Sequence, residues 1–387
     1  MADTSPSAQA VDERQTIEDL EALGYFGGEV EDTGQATGVT VHDAERVQPG
    51  LNFVVSAHVP GAALMDASGA VLHRWERAFR EIWPDVQLPK GGARMRAGKT
   101  EHWRRAQLYP NGDVLVVFEG LGIARLDRDS NLLWASYNRA HHDMHVTDAG
   151  EVYVLTRRAH VVERVNATEP ILEDFVTVLS ADGEELRSVS VLECFENSDE
   201  FGSIWTESAR RKGDIFHTNS VEVLDGRAAA AAPAFSSGRV LTSLRALDVV
   251  AVLDLDAVEV VWAFRDDFVN QHDPKVVGDD HLLLFDNQSG GGPSRVLEYD
   301  LGNLELVWSY GGTDAAPFYS QRCGVAERLS GGNTLVTESM QGRVFELTPR
   351  NEIVWEYRNP GRVDDGQRVA QLFEVVRLEA DYPFPWE

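Results

Sequence analysis

A hairpin that ends in tryptophan recurs along the chain, and this repeat constrains the fold more than any other feature of the sequence. Each copy reads as a strand, a turn with Asp, Asn or Gly, and a second strand. Six copies are found, at residues 63–75, 124–134, 177–189, 252–262, 296–308 and 344–355, the third of them without its tryptophan. Six copies of one hairpin predict a repetitive architecture in a single domain.

A second unit follows most of these copies: a short strand, a turn with Gly or Asp, and an apolar strand. Its clearest examples lie at residues 107–118, 144–155, 276–285 and 326–337. Two hairpins give four strands per repeat, and Trp262, Trp308 and Trp355 are 46 and 47 residues apart, which matches a four-stranded propeller blade. A closed ring of blades also hides sheet edges.

We therefore predict an all-β chain in which residues 46–387 form a six-bladed β-propeller with four-stranded antiparallel blades. Residues 1–45 differ in character and are predicted to be a short acidic arm. Within it, Ile17, Leu20 and Leu23 are spaced nearly as on one face of a helix, so a short helix is expected there.

The charge of the chain excludes several classes of partner. The 387 residues carry 35 basic and 63 acidic side chains, for a net charge of −28, and this field repels nucleic acid and anionic membranes. Genomic base composition or a salty, halophilic cytoplasm would explain the acidity. Cys194 and Cys323 lie too far apart for a disulfide framework. No secretory signal is visible at the start, so a cytoplasmic location is expected. The sequence does not indicate an oligomeric state.

Four histidines share one phase relative to the repeat. His102, His142, His217 and His272 each lie eight to ten residues before the turn of the second unit. In a propeller this is where the innermost strand begins, so we expect the four imidazoles at one mouth of the central channel. Arg322 lies in the equivalent region of a further blade.

Such a cluster is compatible with more than one chemistry. Imidazole is the commonest ligand of zinc and copper, but the paired spacing of a metal site is missing. We therefore expect neither a metal nor a cofactor. The alternative is that the histidines bind an oxyanion and supply a nucleophile. Asp273 follows His272 directly, and on an extended strand it should point away from it.

Three short strings narrow these alternatives. They are His217-Thr218-Asn219-Ser220, Ser243-Leu244-Arg245, and Gln271-His272-Asp273 followed by Phe285-Asp286-Asn287. In this order, and together with the tryptophan-closed hairpins, they resemble the bacterial arylsulfotransferases, a six-bladed propeller family. The resemblance covers roughly residues 50–375.

The resemblance implies an arylsulfotransferase that moves a sulfuryl group from a phenolic sulfate ester to a phenolic acceptor without a nucleotide donor. It implies a ping-pong mechanism through a sulfohistidine, with His272 as the nucleophile and His217 and Arg245 as catalytic partners. The resemblance together with the shared phase predicts that Asn219, His142, His102, Asn287 and Arg322 bind the substrate. One further family residue corresponds either to Arg322 or to Thr337.

Two other functions stay open at this point. Because propellers host many activities, the chain could be a ligand-binding or scaffolding propeller whose channel histidines only satisfy one another. It could also be a metal- or quinone-dependent propeller oxidoreductase.

Overall fold

The computed structural model describes residues 16–20, 30–88, 102–289, 291–314 and 316–386. Six small antiparallel sheets stand around a central channel as a six-bladed β-propeller with four-stranded blades. The predicted fold class is therefore confirmed. No helix within the described ranges is long and apolar enough to cross a membrane.

The strands follow the chain from blade to blade. Strand β1 is Gly38–His42. Blade 1 begins with β2 (Leu51–Ser56), β3 (Gly61–Met65) and β4 (Val71–Glu76). Blade 2 contains β5 (Arg105–Leu108), β6 (Val114–Phe118), β7 (Gly122–Leu126) and β8 (Leu132–Ser136). Blade 3 contains β9 (Ala140–Val146), β10 (Val152–His160), β11 (Ile171–Leu179) and β12 (Glu185–Ser190), and the short β13 (Gly213–Asp214) pairs with β11.

The second half of the chain repeats this order. Blade 4 contains β14 (Thr218–Val223), β15 (Val240–Leu244), β16 (Val249–Asp254) and β17 (Glu259–Phe264). Blade 5 contains β18 (His272–Val277), β19 (His281–Asp286), β20 (Arg295–Asp300) and β21 (Leu306–Tyr310). Blade 6 contains β22 (Val325–Arg328), β23 (Thr334–Glu338), β24 (Arg343–Leu347) and β25 (Ile353–Arg358). Strands β26 (Arg362–Val363) and β27 (Arg368–Val369) form a separate hairpin, and β28 is Leu372–Leu378.

The helices are few and short. They are α1 (Phe79–Ile82), α2 (Val191–Asn197) and α3 (Gly202–Thr206), and residues 16–20 are also helical, within the stretch where a short helix was predicted. Single 3-10 turns lie at Arg227–Ala230, Pro233–Phe235, Arg245–Leu247 and Ser339–Gln341. Helices α2 and α3 belong to an insertion between blades 3 and 4.

The tryptophans of the repeat connect neighbouring blades. The six predicted hairpins are the third and fourth strands of the blades, and the tryptophan lies on the fourth strand. The Trp75 indole N–H donates to the Gly112 carbonyl of blade 2 at 2.9 Å, and the Trp355 indole donates to the Ala67 carbonyl of blade 1 at 2.8 Å. A buried indole N–H usually has such a partner, and these two bonds join neighbouring blades; the buried indole nitrogen of Trp308 has no hydrogen-bond partner among the described residues.

Both end segments of the propeller close the ring at the junction of blades 6 and 1. Strand β28 is the innermost strand of blade 1, where it pairs with β2, and β1 pairs with the outer strand β25 of blade 6. Strand β1 therefore places residues 38–42, which the sequence suggested as part of an arm, in a blade. Residues 1–15 and 21–29 of that segment lie outside the described residues.

A network of ion pairs fills the middle of the channel. The Arg105 guanidinium contacts Asp143 at 2.6 Å, Asp273 at 3.0 Å and Glu374 at 2.9 Å. The Lys275 ammonium lies 3.3 Å from Asp273. A cavity of about 390 Å³ lies beside this network and is also lined by Glu222 and Glu327. The five carboxyl groups outnumber the two cations, so the buried carboxyls compete for positive charge.

One of these carboxyl groups, that of Glu222, should make the folding stability depend on pH. Burial raises the pKa of Glu222 from 4.5 to about 7, so between these values the folded protein holds a proton that the unfolded chain has released. Folding stability should then fall as pH rises through this window. We expect Glu222→Gln to gain roughly 2 kcal/mol relative to the wild type between pH 5 and pH 8, since one pKa unit corresponds to about 1.4 kcal/mol.

Denaturant unfolding at both pH values measures this difference. Glu184→Gln, at an exposed hairpin turn of blade 3, is the matched control and should show no such change. A pH-independent difference between Glu222→Gln and the wild type would contradict the prediction.

Candidate functional site

The innermost strands of all six blades begin at one end of the channel, and every blade contributes at least one residue to a small cavity there. One lining residue from each blade is Arg104, His142, Asn219, His272, Gly324 and Phe373. Three of them come from the predicted set. The cavity lies next to the ion-pair network, since Arg105 and Asp273 belong to its lining as well.

β-Bulges in blades 3, 4 and 5 turn these side chains into the channel. The pairing register shifts between residues 140 and 144, 218 and 221, and 272 and 275 of the innermost strands. His142, His217 and Asp273 have left-handed backbone angles, with φ of 52°, 51° and 52°, which non-glycine residues rarely adopt. Such strain clusters at functional sites.

A bulge in blade 5 lies between His272 and Lys275. His272 and Asp273 both line the small cavity, but of these two residues Asp273 alone also lines the cavity beside the ion-pair network. Regular alternation fails here because the bulge inserts an extra residue between the ladder pairs. The Asp273 carboxylate contacts Arg105 and Lys275.

Hydrogen bonds fix the tautomer of His272. Its Nδ1 lies 3.0 Å from the Asn270 carbonyl oxygen and 2.6 Å from Oδ1 of Asn287. A carbonyl oxygen only accepts, so Nδ1 carries the hydrogen. The Asn287 amide nitrogen donates to the carbonyls of Ser320 and Cys323 at 2.7 and 2.6 Å, which orients its oxygen toward the imidazole. The Nε2 atom of a neutral His272 is therefore a free base.

The surroundings keep His272 uncharged. Burial, followed by the nearby Arg245 guanidinium, holds the pKa of His272 well below its ordinary value of 6.5. His217 and Arg104 act in the same direction. A buried imidazole among cations resists protonation, so this ring stays neutral and nucleophilic at physiological pH.

His217 of blade 4 lies beside two histidines that line the cavity, His142 and His272. Its ring lies 5.1 Å from the ring of His142, centroid to centroid, and its charge acts on the pKa of His272. Its Nδ1 is 2.6 Å from Oδ2 of Asp214. The carboxylate of Asp214 was not recognised in the sequence, because the insertion that delivers it is not part of the repeat.

His142 belongs to a buried group behind the cavity. Its Nδ1 lies 2.8 Å from Nδ1 of His141, and its backbone N–H donates to Glu119 at 2.9 Å. Potential ligand atoms of Glu119, His141 and His142 lie within 4.8 Å of one another, and no other such group was found among the described residues. Guanidinium nitrogens of Arg104 and Arg157 lie 3.7 and 3.8 Å from the Glu119 carboxylate, so this carboxylate already has cationic neighbours.

Two guanidinium groups near the site, those of Arg245 and Arg322, form no hydrogen bond or ion pair with any residue that the structure describes. Burial and then the charge of Arg322 lower the pKa of Arg245, which shows that the two cations lie near each other. In a chain with a net charge of −28, two neighbouring unpaired guanidiniums favour an anionic ligand.

The two predicted asparagines hold different positions. Asn219 lines the cavity, and its amide donates to the Gln271 carbonyl at 2.9 Å. Asn287 was expected at the substrate, but it is fully buried behind His272 and contacts the imidazole. The predicted strings thus contain supporting residues: Gln271 donates to Ser243 and to the Val249 carbonyl at 3.1 and 2.8 Å.

The remaining predicted residues lie at different depths. His102 is buried and stacks on Phe373 with 5.2 Å between ring centroids. Arg322 is exposed beside Arg245. Thr337, the alternative to Arg322, is buried on the second strand of blade 6, where it pairs with Val325. Of these two candidates, Arg322 is the one that the structure brings next to Arg245.

A family model described as Arylsulfotransferase (ASST) matches residues 105–360, more than half of the chain. The chain belongs to the arylsulfotransferase (ASST) family. Membership supports arylsulfotransferase activity in general, on small aryl sulfates and phenols, and does not favour the binding-propeller or oxidoreductase alternatives.

Solved structures share the fold of this chain at low sequence identity. No curated protein matches this arylsulfotransferase family member. A protein of unknown function from Bacteroides caccae is similar with a TM-score of 0.55 and 10% identity, over 85% of this chain and 98% of that one. Virginiamycin B lyase from Staphylococcus aureus has a TM-score of 0.46 and 10% identity, over 89% of this chain and 97% of that one. The first likeness concerns the fold alone.

One residue of this family member's site was missed although the sequence carried a signal for it. Arg104 is buried, lies over the Phe373 ring at 5.1 Å, and donates to Sγ of Cys323 at 3.6 Å. It lies eight residues before the turn glycine Gly112, the same distance as His142 and His272 from their turns. His102 lies ten residues before Gly112. A requirement for a spacing of eight residues would have selected Arg104 instead.

The tautomer of His272 is a testable prediction. In protein labelled with ¹⁵N-histidine, its imidazole should remain neutral with the hydrogen on Nδ1 at pH 6, where an ordinary histidine is largely protonated. Long-range ¹H–¹⁵N spectra report both properties, and the signals missing from His272→Gln assign the residue. A ring that titrates near pH 6.5, or that carries its hydrogen on Nε2, would contradict the geometry.

Proposed function

We propose that this protein is an aryl sulfate sulfotransferase that moves a sulfuryl group from a phenolic sulfate ester to a phenolic acceptor through a sulfohistidine at His272. No nucleotide sulfate donor is required. The observation that carries the proposal is the fixed Nδ1–H tautomer of His272, which leaves Nε2 as a free base at a cavity rich in cations. Splitting one displacement into two through a covalent intermediate is the general advantage of nucleophilic catalysis.

In the first half-reaction, Nε2 of His272 attacks the sulfur of the donor. The N–S bond forms while the bond between sulfur and the phenolic oxygen breaks, and the bond electrons leave with that oxygen. A proton from Nε2 of His217 neutralises the phenolate. The Asn270 carbonyl and the Asn287 amide stabilise the positive charge that develops on the His272 ring.

In the second half-reaction, the oxygen of the acceptor phenol attacks the same sulfur. The new O–S bond forms as the N–S bond breaks, His272 recovers its neutral state, and the phenolic proton returns to Nε2 of His217. His272 gains and then loses the sulfuryl group, and His217 loses and then regains a proton. One cavity can therefore carry out both half-reactions of a ping-pong cycle without net consumption of protons.

Cationic and amide groups around the cavity hold the sulfuryl oxygens. Arg245 is the principal candidate, because its guanidinium has no partner among the described residues and acts directly on His272. Arg104, His142 and Asn219 line the cavity beside it. Donors fixed on rigid strands require little rearrangement as charge develops, which is how preorganised sites stabilise transition states. Arg322 is exposed, and His102 stacks on Phe373. We assign both residues to binding the part of the substrate beyond the sulfuryl group.

The direct test is sulfuryl transfer from 4-nitrophenyl sulfate to phenol. We expect His272→Ala to lower the rate by at least about a thousandfold, because removal of a covalent nucleophile abolishes the two-step route. The release of 4-nitrophenol and the formation of phenyl sulfate measure the reaction.

His281→Ala is the matched control, since His281 lies at the start of β19 and pairs with Glu298 at 2.8 Å. This variant should keep the wild-type rate. Transfer by His272→Ala at a rate near that of the wild type would exclude His272 as the nucleophile.

A further inference from the structure

The insertion between blades 3 and 4 ends beside the site in a short strand. Its last residues form β13, which pairs in parallel with β11 of blade 3 so that Gly213 and Asp214 lie opposite Ile171 and Leu172. The rest of blade 3 is antiparallel. This additional strand fixes the backbone of Asp214 three residues before His217.

Asp214 contacts His217 through both carboxylate oxygens. Oδ2 lies 2.6 Å from the imidazole Nδ1, and Oδ1 accepts the backbone N–H of His217 at 3.0 Å. The two contacts determine both the position of the carboxylate and the rotation of the ring. Because an ionised carboxylate only accepts, Nδ1 carries the hydrogen, and Nε2 is the ring nitrogen that Asp214 does not contact.

A second carboxyl group lies behind this pair. Asp174 of β11 is buried, and its Oδ2 accepts the backbone N–H of Thr218 at 2.8 Å. Burial and the charge of Asp214 raise the pKa of Asp174 to about 7. Near neutral pH the two carboxyls thus carry fewer than two charges between them, and the hydrogen-bonded Asp214 is the one that faces the imidazole.

We propose that Asp214 is a positioning residue that holds His217 as the proton donor for poor leaving groups, so that the donors of this enzyme include sulfate esters of unactivated phenols. This inference rests on the proposed function. As the S–O bond breaks, the proton on Nε2 of the His217 imidazolium moves to the leaving phenolic oxygen, and Asp214 stabilises the imidazolium before the transfer. The acceptor phenol later returns a proton to the same atom, so the cycle is balanced.

The leaving group determines how much this proton is needed. The phenol of phenyl sulfate resembles tyrosine, with a pKa of about 10, and its oxygen gains much from protonation in the transition state. 4-Nitrophenolate is a far weaker base and leaves without such help. A carboxylate that only supports the fold would affect both donors alike.

The experiment compares the first half-reaction of both donors in Asp214→Asn. We expect the rate with phenyl sulfate to fall about 100-fold and the rate with 4-nitrophenyl sulfate less than 10-fold, which is the range of general acid catalysis. The ratio of the two rates from one preparation does not depend on how much of the protein is folded. His217→Gln should change the ratio in the same direction, and the double variant should add nothing further.

Two other variants complete the design. Asp214→Glu keeps the carboxylate and should retain a ratio within about threefold of the wild type; it also provides the test should Asp214→Asn not fold. Glu298→Gln removes the carboxylate partner of His281 and is the matched control, with an unchanged ratio. Equal losses with both donors in Asp214→Asn, or a ratio in Asp214→Glu as altered as in His217→Gln, would overturn the inference. Failure of the proposed function would be seen separately, as transfer by His272→Ala.

Discussion

Closure of the ring between blades 6 and 1 is the constraint on which the other features depend. Strand β28 supplies the innermost strand of blade 1, and β1 covers the outer strand of blade 6. Because the six innermost strands then surround one axis, their first residues meet at one mouth of the channel. Residues from blade 2 to blade 5, far apart in sequence, become neighbours in this way, and local strand bulges direct their side chains into the cavity.

The second determinant is electrostatic. The chain carries a large negative charge, yet Arg104, Arg245 and Arg322 gather around three imidazoles at the mouth, and Arg245 and Arg322 have no counter-ion among the described residues. Burial and then the Arg245 guanidinium, with a smaller effect of Arg104, keep the pKa of His272 low and the ring neutral. This arrangement favours a sulfate ester beside a neutral imidazole, which is the basis of the proposed nucleophilic attack.

Cationic and anionic side chains lie at different depths along the channel axis. Behind the cationic cavity, Arg105 links Asp143, Asp273 and Glu374, and the carboxyls beyond this network outnumber the cations. Burial raises the pKa of Glu374 to about 7, as it does for Glu222. The cationic groups at the histidine mouth thus favour an anionic substrate at that end of the channel.

Much of this arrangement could be predicted from the sequence, because the blade repeat places equivalent residues at equivalent heights. The tryptophan-closed hairpins predicted the blades, and the phase of His142 and His272 predicted their convergence. The bulge at Asp273 could not be predicted, since no residue pattern in the sequence marks the register shift of that strand. Asp214 was missed for a different reason: it reaches His217 through an insertion whose parallel pairing with β11 leaves no periodic signal.

The position of Asn287 shows a further limit of the sequence. The string that contains it indicated a place at the active site, but whether its amide contacts substrate or imidazole depends on two backbone carbonyls from the loop before β22. Contacts of that kind involve the main chain, so residue types alone do not reveal them.

The central claim is a covalent bond between sulfur and one imidazole nitrogen. Its most direct test is peptide mass spectrometry of protein exposed to an aryl sulfate without acceptor and digested at neutral pH. The account predicts a sulfuryl group on His272 that disappears when a phenol is added. An unmodified His272 during turnover, or a sulfuryl group on another residue that phenol removes at the catalytic rate, would contradict it.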